Sequence, residues 1–217
     1  MDKKVQTGNQ GGYRVIKRFF DIVLSFIGIV ILLVPMSLIM LMVIIDDPGS
    51  PIFSQKRVGR NGELFNVYKL RTMKKNTPKY LATKDVGDPD KYITKTGRIL
   101  RKLSVDELPQ LINILKGDMS IVGPRPLIPD EKEIHILREQ CGVYSLRPGL
   151  TGLAQINGRD LVSAQEKVAW DEKYLNNISF KTDIKILLAT VPKVFGGENV
   201  VEGFDNTEKE MSRERES

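Results

Sequence analysis

The longest hydrophobic run in the chain extends from Ile22 to Ile45 and contains no charged residue. As a helix rising 1.5 Å per residue it would extend roughly 36 Å, enough to cross a hydrocarbon core of about 30 Å. Lys17 and Arg18 precede it, and Asp46, Asp47, Pro48 and Gly49 end it. The run is too long for a cleaved signal peptide and no small-residue cleavage site follows it. A membrane location is therefore expected. Pro35, near the middle, removes one backbone hydrogen bond and crowds the preceding turn. In lipid the freed carbonyl needs another partner. Lys3, Lys4, Arg14, Lys17 and Arg18 lie before the run, and Lys56, Arg57 and Arg60 lie after it. By the positive-inside rule both flanks read as cytoplasmic. An ordinary kinked span satisfies one flank; a helix bent at Pro35 that leaves by its own entry face satisfies both. The pattern leaves these two open.

Beyond Pro48 the periodicity changes. Ile52 to Gln55 and Leu64 to Tyr68 are short strand-like runs, and the Asn61-Gly62 pair between them is a hairpin signal. Asn76 to Asp90 is polar and broken by Pro78, Gly87 and Pro89, as in a loop. A helix is predicted from near Asp106 to Lys116, with Gly117 just past its end. Its apolar stripe would be Leu108, Leu111, Ile112 and Leu115. A second helix is predicted over Val162 to Asn176. Phe180, Ile184, Leu187, Leu188 and Val191 then form an apolar face among lysines, suited either to a core or to a bilayer surface. The charged segment from Asp205 to Ser217 reads as disordered.

Composition narrows the chemistry. A net charge of +6 favours an anionic partner without choosing among phosphate, nucleotide, nucleic acid and acidic lipid. The single cysteine, Cys141, excludes an intrachain disulfide and any multi-cysteine metal site. The single histidine, His135, excludes mechanisms that need a histidine pair. A pair of Cys141 with His135 stays formally open but weakly supported, so carboxylates and arginines are expected to carry any reaction.

Three clusters could do so. The first is Asp106-Glu107, with Arg98, Arg101 and Lys102 close in sequence. Ser104-x-x-Glu107 also matches a capping box, so this pair could simply start a helix. Pro109 fits the third helical position if Asp106 is the cap, and fits poorly if Ser104 is. Either register sets both carboxylates among positive charge, where an ionised nucleophile or metal ligand is favoured. The second cluster runs from Gly117-Asp118 to Pro124-Arg125-Pro126, two prolines fixing the backbone around a guanidinium suited to a diphosphate. The third spans Arg147-Pro148-Gly149 to Arg159, with glycines that permit close backbone approach to a ligand. No Walker loop, Rossmann glycine motif or metal-binding histidine motif is present.

In this order behind an apolar helix, the clusters resemble the bacterial sugar transferase family of small monotopic phosphoglycosyl transferases. The resemblance covers about Tyr13 to Val201. It rests on Lys17-Arg18-Phe19-Phe20-Asp21, Pro35, Tyr68-Lys69-Leu70-Arg71-Thr72-Met73, Leu103 to Leu111, Gly117 to Pro126 and Arg147 to Arg159. It implies an α+β, mostly helical fold: a re-entrant membrane helix hinged at Pro35 and a small cytoplasmic catalytic domain with amphipathic interfacial helices. The implied divisions are an N-terminal segment (1–16), the membrane helix (17–47), the catalytic domain (48–202) and a tail (203–217). The implied reaction moves a sugar-1-phosphate from a UDP-sugar to undecaprenyl phosphate at the cytoplasmic face of the bacterial inner membrane, releasing UMP. Asp106 would be the nucleophile and Glu107 would hold Mg²⁺. Lys69, Arg101, Pro124, Arg125, Pro126, Arg147 and Arg159 are the candidate substrate-binding residues. The product would start a capsule, exopolysaccharide or glycoprotein glycan. The sugar is not legible, and oligomeric state stays open, a homodimer included.

Two other readings compete. A non-enzymatic anchor with a basic domain would explain the charge and the apolar run but not the ordered motifs. Few aromatics and no stacking cluster argue against nucleic acid as its partner. An ordinary glycosyltransferase would move the sugar without its phosphate and release UDP.

Overall fold

The computed structural model describes residues 10–77, 91–158 and 163–195. Arg159, Val162, most of the polar loop and the charged tail lie outside them. The apolar run is a single helix, α1 (Gln10–Asp46), with Pro35 inside it. Phe26, Val30, Ile31, Leu33, Val34 and Leu38 are each more than half exposed. Among the described residues α1 alone is long and apolar enough to cross a membrane. Near Pro35, the Ser37 hydroxyl donates to the Leu33 carbonyl at 2.8 Å, an extra bond in the turn that proline disturbs.

Both ends of α1 dock on the same folded unit. At the amino end Lys17 Nζ pairs with Asp183 at 2.7 Å, and Arg18 donates to the carbonyls of Ile114 and Leu115. Asp21 accepts from the Ser120 hydroxyl at 2.8 Å and from Ile121 N at 3.0 Å. At the carboxyl end Val43 is buried against Leu70 and Leu100. Asp46 accepts from Thr96 N at 2.7 Å, and Asp47 pairs with Arg71 at 3.3 Å. The basic flank before the apolar run is thus part of the tertiary structure, with Lys17 and Arg18 both engaged.

The hairpin follows. β1 (Ile52–Val58) pairs antiparallel with β2 (Leu64–Leu70), from Ile52 opposite Leu70 to Val58 opposite Leu64. Asn61 (φ 57°) and Gly62 (φ 76°) both turn left-handed, as their pairing in sequence predicts. Next is α2 (Lys95–Lys102), capped by Thr94, whose hydroxyl accepts from Gly97 N at 2.9 Å. A Cβ on Gly97 would come within 2.1 Å of the Thr72 carbonyl, so this helix sits tight against the strand exit.

α3 (Gln110–Lys116) ends at left-handed Gly117 as expected, but it starts four residues later than predicted and buries a different face. Gln110, Asn113 and Ile114 are inside, whereas Ile112 is 46% exposed. The reason is polar. Asn113 donates to Asn66 O and Asp118 and accepts from Tyr68 N, which ties α3 to β2. Leu111 instead packs toward Gly28 of α1.

β3 (Ser120–Val122) pairs in parallel with β4 (Gly149–Thr151), with α4 (Lys132–Gln140) between them in sequence. α5 (Leu153–Ile156), α6 (Ala164–Asn176) and α7 (Phe180–Phe195) complete the described chain. Ser163 and Glu166 form a capping box on α6. One core joins Val122, Leu146, Tyr174, Leu175, Ile178 and Ile186. α7 turns Ile186 into that core and leaves Phe180, Leu188 and Val191 more than half exposed. Phe180 meets Phe20 of α1, ring centroids 6.4 Å apart, so the two exposed apolar faces are continuous. The fold is α+β and mostly helical, with one long apolar amino-terminal helix.

Candidate active site

Asp106 and Glu107 lie in a short 3₁₀ turn, Val105–Glu107, ahead of α3. Neither capping register forms. Ser104 adopts φ 54° and ψ 21°, and its side chain makes no capping bond. Pro109 occupies the cap position of α3, where a missing N–H costs nothing. The acid pair is therefore held in a turn rather than consumed in starting a helix, with Asp106 buried and Glu107 facing the cleft.

Three chain segments converge on it. Glu107 Oε1 accepts from Lys69 Nζ of β2 at 2.9 Å, and Arg125 of the Pro124-Arg125-Pro126 turn stands 3.8 Å from the same oxygen. Asp106 beside it is 7% exposed. A narrow cleft here is lined by Arg57, Lys69, Glu107, Gln110, Arg125 and Gln155. The Pro-Arg-Pro turn is held by its backbone. Arg138 donates to the Arg125 carbonyl at 2.8 Å, Arg57 to the Pro126 carbonyl at 3.3 Å and Gly149 N to the Pro124 carbonyl at 2.8 Å. Arg138 is itself fixed by a buried pair with Asp171 at 2.6 Å. Such a pair holds geometry more surely than it adds stability.

The remaining predicted residues separate. Arg101 lies on α2, and its Nε donates to the Thr72 hydroxyl at 2.8 Å. Arg147 donates to the Gly117 carbonyl at 2.9 Å, at the opposite end of α3 from the acid pair. There it lines a larger cavity with Arg14, Arg18 and Arg60. Arg159 is outside the described residues. The glycines of the third cluster approach protein backbone: a Cβ on Gly149 or Gly152 would lie 2.1 Å from Gly123 atoms. They let β4 press against the strand that carries the Pro-Arg-Pro turn.

Sequence reasoning missed Arg57, Gln155 and the Arg138–Asp171 pair. Asn113 lies off the apolar stripe that the leucines define, so its burial carried no signal in the pattern. Arg138 and Asp171 carried none, since 33 residues separate two ordinary helix positions.

The arrangement offers two adjacent carboxylates, with Glu107 faced by two cations, a setting suited to phosphoryl chemistry. Comparison with known proteins agrees. Residues 12–197 match the family model described as bacterial sugar transferase. The chain is 40% identical over 192 residues to exopolysaccharide production protein ExoY of Sinorhizobium fredii, covering 82% of this chain and 84% of that protein. It is 41% identical over 191 residues to the uncharacterized sugar transferase EpsL of Bacillus subtilis, covering 86% and 90%. It is 40% identical over 196 residues to undecaprenyl-phosphate galactose phosphotransferase of Salmonella typhimurium, covering 83% of this chain and 40% of that longer protein. With the family model matched over most of its length, this chain belongs to the bacterial sugar transferase family and is a transferase.

Proposed function

We propose that the protein transfers a sugar-1-phosphate from a UDP-sugar to undecaprenyl phosphate at the cytoplasmic face of the inner membrane, the first lipid-linked step of a capsule, exopolysaccharide or glycoprotein glycan. The observation that carries this reading is the acid pair in its 3₁₀ turn, with Lys69 and Arg125 both directed at Glu107. A relative named for phosphotransfer to undecaprenyl phosphate supports the same acceptor.

In this mechanism a carboxylate oxygen of Asp106 attacks the sugar-bearing phosphorus. The bond from that phosphorus to the bridging oxygen breaks, and UMP leaves with the electron pair. The phosphosugar stays on Asp106 until an oxygen of undecaprenyl phosphate displaces the aspartate. Two steps at one phosphorus allow a soluble donor and a lipid acceptor to use the site in turn.

Glu107 is the residue proposed to hold Mg²⁺. No group of three or more candidate ligands occurs among the described residues. Two adjacent carboxylates still fit this ion, which is commonly held by one or two carboxylates together with substrate phosphates. When bound, it supplies charge neutralisation at the diphosphate. Lys69 and Arg125 serve the same negative charge, and the backbone bonds to the Pro-Arg-Pro turn keep that guanidinium in place.

The docking of both ends of α1 on one folded unit supports a membrane placement. A straight span would carry its ends to opposite faces, so we read α1 as entering and leaving by the same face. The continuous apolar surface of Phe20 and Phe180 then rests on the bilayer.

The test is nucleotide release from a panel of UDP-sugars with undecaprenyl phosphate and Mg²⁺. UMP is expected from the wild type, with a loss of at least 10³-fold in Asp106→Asn, the scale expected when a nucleophile is removed. Chelation with EDTA should stop release and added Mg²⁺ should restore it. UDP as product would replace this reading with glycosyl transfer.

A further inference from the structure

A second cavity lies away from the acid pair. It has a volume of about 350 Å³ and lies where the amino end of α1 crosses the hairpin turn and the end of α3. Arg14, Lys17, Arg18, Arg60 and Arg147 line it, and Asp21 is the one carboxylate among its lining residues. Lys17 is matched by Asp183. Asp21 accepts from Ser120 and Ile121, and its single negative charge faces four arginines, Arg14, Arg18, Arg60 and Arg147. Arg18 and Arg147 use carbonyls at the end of α3, which supply partial negative charge but no anion. Among the described residues no carboxylate pairs with Arg14 or Arg60, and the buried Nε of Arg14 has no hydrogen-bond partner. Burial, then the charges of Arg18 and Arg60, draw the Arg147 guanidinium below its ordinary pKa. Clustered like charges around an empty volume are unfavourable without an anion between them.

The position of the cavity says which anion. Val15 lines it and is 72% exposed, and Phe19 and Phe20 continue the same exposed apolar surface along α1. It therefore opens beside the apolar surface that the proposed membrane placement rests on the bilayer. α3, seven residues or about 10 Å long, separates it from the acid pair. A phosphate bound here is not the phosphate that reacts at Asp106.

We propose that this cavity is a second anion site, which takes a phosphate group presented by a membrane phospholipid or free in solution. Arg14, Arg60 and Arg147 bind it, and it seats the amino end of α1 against the domain. The lipid source rests on the membrane placement proposed above, whereas the cavity and its charge do not.

The experiment uses the full-length protein in phosphatidylcholine nanodiscs and reads thermal unfolding. In one arm phosphatidylglycerol replaces part of the phosphatidylcholine; in the other, inorganic phosphate is added against sodium chloride of equal ionic strength. A ligand of the native state raises Tm. The wild type is expected to gain several degrees in at least one arm. Phosphatidylglycerol alone identifies a headgroup, and inorganic phosphate alone a free anion. Arg14→Gln with Arg60→Gln should lose most of the gain. Lys132→Gln, a charge change on exposed α4, should keep it. Arg60→Gln alone, at an exposed side chain, covers the case in which the double variant folds poorly and should lose about half. An equal gain in the wild type and the Arg60 variants, or a gain matched by sodium chloride, would overturn the proposal.

Discussion

Ser104 carries a Cβ in a backbone conformation that favours glycine. The left-handed turn it makes sets Asp106 and Glu107 in a 3₁₀ turn off the axis of α3, and no capping bond compensates it. Ser104→Gly should therefore raise stability by about 1 kcal/mol. Ser104→Ala should change it by less than about 0.5 kcal/mol, whereas removal of a working cap would cost about 1 kcal/mol. Thermal unfolding in one detergent distinguishes the two, and a large loss in Ser104→Ala would restore the capping reading. At this scale the acid pair was legible in sequence but its partners were only partly so. Arg101, five residues away, turns to Thr72. Lys69, 38 residues away, reaches Glu107 because β2 passes beside the turn. Proximity along the chain is a poor guide where a strand supplies the counter-charge.

At the scale of elements, hydrophobic pattern located the long helix, the hairpin and α6 well, because each carries its own local signal. It misjudged α3, whose buried face is set by the hydrogen bonds of Asn113 rather than by its leucines. On α7 the pattern left two uses open, and the structure divides them: Ile186 enters the core and Leu188 faces out. If that outer stripe rests on lipid, a fluorophore on Leu188→Cys, in a Cys141→Ser background, will be quenched by a lipid-phase quencher and protected from iodide. The same label on Lys132→Cys of α4 should show the opposite. Equal iodide quenching at both positions would remove α7 from the bilayer surface.

Across the whole molecule, the apolar helix contacts one folded domain at both of its ends. Periodicity could not show this, since a spanning and a re-entrant helix share the same composition. The contacts of Asp21 at one end and Val43 and Asp47 at the other are the basis of the proposed re-entrant placement. Single cysteines at Gly11, where a side chain meets no neighbour, and at exposed Ser50 should both label in inside-out vesicles and neither in intact spheroplasts. One label on each side would mean a span.

In the proposed reaction the phosphosugar passes through Asp106. Intact-mass measurement after incubation with a UDP-sugar and Mg²⁺, without lipid acceptor, addresses it directly. The wild type should gain the mass of one phosphosugar, mapped to Asp106, and lose it when undecaprenyl phosphate is added. Turnover to UDP with no adduct, or an adduct on another residue that Asp106→Asn retains, would contradict the mechanism.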